Sequence, residues 1–138
     1  MQTDTTVGFA SQDAEKLAKT KGRSLEQPFL KTLPSLTSLK QEMRIPKTAR
    51  KRIRNAKRTT FIYPNKSAIR VVSSGEYHEF LERINWAYSS SANKTQESFE
   101  SKWAQEKADV IICGDSTLGE RKASQMIELG KNKIKRVR

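Results

Sequence analysis

The sequence predicts a fold of the α+β or α/β class: a basic helix, a β-hairpin, two helices and then a strand-helix(-strand) unit, behind a flexible N-terminus. Three observations predict it. Tyr77, Phe80, Leu81, Ile84, Ala87 and Tyr88 recur at three- and four-residue spacing, which is the stripe of an amphipathic helix. The β-branched and aromatic runs TTFIY (Thr59 to Tyr63) and AIRVVS (Ala68 to Ser73) flank Pro64-Asn65-Lys66-Ser67, a hairpin composition. DVIIC (Asp109 to Cys113) is a short apolar run stopped by Gly114, the pattern of a buried strand.

From the N-terminus onward, residues 1–43 are rich in Thr, Ser, Lys and Gln. Leu25, Phe29, Leu30, Leu33, Leu36 and Leu39 recur at spacings of three and four, but Pro34 breaks a continuous helix there. The expectation is a largely flexible extension over 1–43, followed by a small basic domain over 44–138. Within the extension, residues 25–39 form a Leu-bearing piece able to dock on the domain or on a protein partner.

Pro46 suits the first turn of a helix, where its missing N–H is an orphan in any case. On a helical wheel with Lys47 at the origin, Ile45, Ala49, Ile53 and Ala56 cluster on one side, at about 160–240°. Lys47, Lys51, Arg54 and Arg58 cluster opposite, flanked by Arg50 and Lys57. A helix over 46–58 is therefore expected to pack a narrow apolar face and to present its cations. After the hairpin, Ser73 and Glu76 have capping-box spacing, opening a helix over 75–89 that SSSAN (Ser89 to Asn93) ends. Asn93 and Gln96 suggest the start of another helix, reaching about Lys107. After the strand 109–113, Thr117 and Glu120 suggest a third cap, for a helix carrying Leu118, Ala123, Met126, Ile127 and Leu129. Gly130 suits its C-terminal end. The closing KNKIKRVR is either a short strand parallel to 109–113 or a basic tail.

Charge says more about function than the elements do. The 138 residues carry a formal net charge of +12, the electrostatic footprint of a nucleic-acid binder. The stretch 44–70 holds ten Lys or Arg and no Asp or Glu, whereas 71–120 holds four basic and nine acidic residues. Intrahelical ion pairs are thereby excluded as the purpose of the cations. A phosphate backbone is the natural partner, because each neutralised phosphate releases counterions and adds affinity. In composition the stretch resembles the arginine-rich segments of many RNA-binding and some DNA-binding proteins. The expected contact residues are Arg44, Lys47, Arg50, Lys51, Arg54, Lys57, Arg58, Lys66 and Arg70, helped by Lys131, Lys133, Lys135, Arg136 and Arg138. Phe61 and Tyr63 alternate with Ile62, so their rings either stack on bases or face the core.

Other chemistry finds little support. One cysteine, Cys113, and one histidine, His78, are too few for a Cys/His zinc set. The loop 114–119 sits where a strand would meet a helix N-terminus, yet it matches no phosphate-binding glycine motif, so no cofactor is expected. Asp109, Asp115 and Glu120, near the carboxyl end of the expected strand, are the carboxylates that a metal-dependent nuclease would use, with Glu76, Glu97 or Glu106 folding in beside them. The longest apolar run, Val110 to Cys113, is far short of the roughly 18–20 residues that span a bilayer. No membrane partner is expected, and no signal peptide either, since Asp4 and Asp13 lie where one would be basic and then apolar. The reading is a non-enzymatic nucleic-acid-binding protein, for DNA or RNA, serving as a regulatory (transcription) or replication accessory factor. It is expected in the cytoplasm or nucleoid, or in the nucleus of a eukaryotic or viral system. Alternatives are a small metal-dependent nuclease and a structural ribonucleoprotein component.

Overall fold

A seven-stranded mixed sheet organises the chain, with the strands in the spatial order β1-β5-β2-β4-β3-β6-β7. The computed structural model describes residues 1–95, 97–115, 117–130 and 134–137. Its elements in chain order are β1 (Gly8–Ser11), α1 (Ala14–Lys21), β2 (Leu30–Leu33), α2 (Leu36–Glu42), a 3-10 turn (Lys47–Ala49), α3 (Arg50–Asn55), β3 (Thr59–Ile62), β4 (Ala68–Val71), α4 (Glu76–Ile84), β5 (Ala87–Ser91), α5 (Ser101–Lys107), β6 (Gln125–Leu129) and β7 (Ile134–Arg136). Strands β2 and β4 are parallel, as are β3 and β6, and the other neighbours are antiparallel. The α+β class is thus the observed one.

Residues 1–43 are not a flexible extension; they supply β1, α1, β2 and α2. Asp13 caps α1 by accepting from the Lys16 amide at 3.0 Å, and Gly22 ends it in the left-handed region. Pro34 does interrupt the leucine run, but as a divider: β2 precedes it and α2 follows, capped by Ser35. Phe29, Leu33 and Leu39 are core residues, so the 25–39 segment turns most of its apolar side chains inward. The boundary at residue 43 therefore falls inside one continuous sheet.

Two faces of that sheet are filled differently. One carries Leu33, Leu39, Ala49, Ile53, Phe61, Tyr63, Ile69, Ile127 and Leu129, packed beneath α2 and α3. Because side chains alternate along a strand, Arg70 points away from that cluster, between Ile69 and Val71. It is buried, donating to Asp4 Oδ1 at 2.8 Å, Thr5 Oγ1 at 2.9 Å and Thr60 Oγ1 at 3.2 Å. Beside it the Thr32 hydroxyl donates to the Ala87 carbonyl at 2.9 Å. Its one proton is then committed, so it accepts from the Tyr77 hydroxyl at 2.7 Å.

Three other expectations change. Helix α4 stops at Ile84, where Asn85 takes a positive φ of 69°, and the residues after it form β5. Gly75, not Ser73, is its N-cap. The 93–107 helix shrinks to α5, and Gln96, half of the expected cap, lies outside the described residues. Residues 125–129 are a strand, because Ile127 and Leu129 bury at a period of two against β3 while Glu128 lies on the other face. Residues 109–113 form no strand: Val110 is 74% exposed and Cys113 is exposed. At the two ends of the sheet β7 covers the edge of β6, and the Val7 and Gly8 amides bond to the Gly119 and Met1 carbonyls. Strand β7 accordingly pairs antiparallel with β6 rather than with 109–113.

Two outcomes are expected. A chain beginning at Arg44 loses β2 from between β5 and β4, so its calorimetric melt should lose cooperativity. Arg70→Ala leaves the partly buried Asp4 without its partner, and urea unfolding should show a loss of about 3 kcal/mol.

Candidate nucleic-acid interface

Short-range repulsion shapes the basic segment. Lys47 and Lys51, and Arg50 and Arg54, are like charges one turn apart, which weakens a helix. The expected helix over 46–58 is realised as the 3-10 turn and the six-residue α3, with extended backbone at Ala56 and a positive φ at Arg58. Packing holds what remains. Ala49 and Ile53 are buried in the core cluster, and Ile45 and Ala56 pack against it, as the wheel predicts.

With that stripe facing inward, Arg44, Lys47, Arg50, Lys51, Arg52, Arg54, Lys57 and Arg58 are all exposed. Among the described residues none of the eight has a carboxylate within ion-pairing distance. The Arg58 guanidinium does donate to the Lys122 carbonyl at 3.3 Å.

The remaining predicted contacts divide. Arg70 is not a surface cation, being held by Asp4 on the opposite face of the sheet. Lys66, at the hairpin turn with a φ of 66°, is exposed but sits 3.6 Å from Glu128. Lys135 and Arg136 are exposed on the edge strand β7. The register sets Arg136 opposite Ile127, hence on the α3 side, and Lys135 opposite Glu128 on the other side. Lys131, Lys133 and Arg138 lie outside the described residues.

Sequence reasoning missed a cleft of about 400 Å³ between α2 and the 3-10–α3 segment. Leu36, Met43, Ile45 and Ile53 make its apolar floor, and Lys40, Arg44, Arg50 and Arg54 stand around it. The signal was present in part: Leu36, Leu39 and Met43 have helical spacing, but only the fold brings them to Ile53.

Base stacking on the hairpin is ruled out by burial, since Phe61 and Tyr63 both face the core and Ile62 is the half-exposed residue. The Tyr63 hydroxyl is buried without a hydrogen-bond partner, and burial pushes its pKa up to about 12. Two of the three carboxylates of the nuclease reading are engaged elsewhere. Asp109 Oδ2 lies 2.9 Å from Lys16 Nζ, and Glu120 accepts from the Phe99 amide at 2.5 Å. Among the described residues no three His, Cys, Asp or Glu side chains are placed to share a metal ion. No helix among them is long and apolar enough to cross a membrane. Among the described residues no helix follows Gly114, so the expected strand-to-helix turn does not form. Compared with known proteins, the chain matches no family model, no curated protein and no solved structure.

Tyr63→Phe removes an unsatisfied buried hydroxyl and should raise unfolding free energy by about 1 kcal/mol at neutral pH. The folded phenol keeps its proton above the unfolded value near 10, so wild-type stability should fall as pH rises from about 10 to 12. Guanidinium melts across that window should show the fall, and the Phe variant should make it shallower, the remainder coming from Tyr77, whose pKa burial also raises.

Proposed function

We propose that this protein is a non-enzymatic nucleic-acid-binding protein that grips phosphates through the surface of the 3-10 turn and α3. The observation that carries the reading is the set of eight exposed cations, none paired with a carboxylate among the described residues, on a segment whose apolar side is fixed in the core. Such a surface destabilises the free protein by self-repulsion. A polyanion relieves the repulsion and gains counterion release. Arg136, on the same side of the sheet, extends the surface, and the tail residues Lys131, Lys133 and Arg138 add charge beside it in sequence. A regulatory or replication accessory role in the cytoplasm, nucleoid or nucleus suits a domain of this size and charge.

Gel shifts with duplex DNA, single-stranded DNA and structured RNA across a salt series test this. Log affinity should fall with log salt by about 0.7–0.9 per phosphate contacted. Replacing Arg50, Arg54 and Lys57 together by Ala should lower that slope by about two to three without lowering the melting temperature, because all three are exposed and their mutual repulsion is removed. A slope that stays the same would place the contacts elsewhere.

A further inference from the structure

The cleft between α2 and α3 asks more of a ligand than negative charge. Its floor of Leu36, Met43, Ile45 and Ile53 carries no hydrogen-bonding side chain, whereas its rim is wholly cationic. A ligand that fills it must therefore be apolar where it enters and anionic where it leaves. The volume, about 400 Å³, lies within the range of sites that take small organic groups.

We propose that the cleft receives an unpaired nucleobase of a bound strand, while Lys40, Arg44, Arg50 and Arg54 hold the flanking phosphates. This deepens the nucleic-acid reading and rests on it. The flat π-face of a base gains dispersion contact with an aliphatic floor, and arginine guanidinium planes at the rim stack on bases. Met43 is the flexible, polarisable side chain that lets such a floor adapt to purine or pyrimidine. A base inside a duplex is stacked on both faces and cannot enter, so the cleft discriminates unpaired strands from duplex, which meets only the outer cations.

The same mixture of apolar floor and basic rim would suit an acidic amphipathic peptide, but two features favour the strand. A helical peptide needs a row of anchor sites at i, i+3, i+4 and i+7 spacing, and this is one compact floor. The cations also run on past the cleft through Lys51 and Lys57 to Arg58, a track suited to an anion repeated along a chain.

Fluorescence anisotropy decides, using a short oligothymidine, an abasic strand of equal length and charge, and a duplex of that length. The wild-type protein should bind the oligothymidine about tenfold more tightly than the abasic strand. Ile45→Gln makes the floor polar and should erase that difference while keeping the abasic affinity, because the cations around it are untouched. Met43→Gln does the same from the end of α2 and serves if the first variant melts early. Equal binding of oligothymidine and abasic strand would overturn the cleft assignment and leave the phosphate reading intact. Failure of all three nucleic acids to bind would remove the phosphate reading itself, and the cleft assignment with it. Discrimination that survives in both floor variants would refute the proposal, and a Leu-bearing acidic peptide that then binds only the wild type would make the cleft a peptide site.

Discussion

Strand β2 is clamped on both sides, parallel to β4 and antiparallel to β5, and the other elements take their places from it. Thr32 at its middle has no exposed surface and ties β5 and α4 to the strand through one hydroxyl. Leu33, its neighbour, faces the opposite way into the cluster beneath α2 and α3. Pro34 and Ser35 then turn the chain directly into α2, one wall of the cleft. The position of the basic surface is therefore fixed from four residues that themselves carry a single charge, Lys31. That charge is occupied: Lys31 Nζ lies 2.8 Å from Glu42 and 4.2 Å from the centre of the Trp86 ring.

Arg54 and Arg70 show how one residue type reaches opposite ends in the same segment. Arg54 sits on a helix whose apolar stripe is only Ala49 and Ile53 wide at its buried centre, so its guanidinium is left in solvent. Arg70 sits in a four-residue strand covered on both faces, and alternation sends it inward. A buried guanidinium needs a counter-charge and several acceptors, and the N-terminal residues Asp4 and Thr5 supply them. The N-terminal segment that looked dispensable is what lets β4 carry an arginine at all.

Much of the centre of the chain was legible from local pattern. The hairpin 59–71, the inward stripe of Ala49 and Ile53, and the start of the amphipathic helix near Glu76 all follow from periodicity and turn chemistry, because each element is contiguous and its neighbours are close. What was not legible depends on distant partners. Ala87 to Ser91 continues the helical spacing of Tyr77 to Ile84, and only pairing with β1 and β2 makes it a strand. Gln125 to Leu129 fits a helix and a strand about equally, and β3 decides. The run Val110 to Cys113 reads as a core strand, yet it pairs with none of the seven strands. At the interface the helix cations were legible from charge alone. The loss of Arg70 and the cleft were not, since both require knowing which side of the sheet each residue faces.

Long-range pairing also sets the order in which the molecule can be assembled. Strand β1 waits for β5, β2 is incomplete without β5, and β3 finds its second neighbour only in β6. Such high contact order slows folding, because chain closure must precede the contacts that reward it. During synthesis the cationic segment emerges well before β6, whose Ile127 helps to seat Ile53 and Phe61. Until then its charges belong to a loose chain and can be neutralised by any polyanion within reach. A spaced and oriented array of cations exists only after the late strands have closed, so under the proposed function selectivity would be acquired in the final steps of folding, later than affinity.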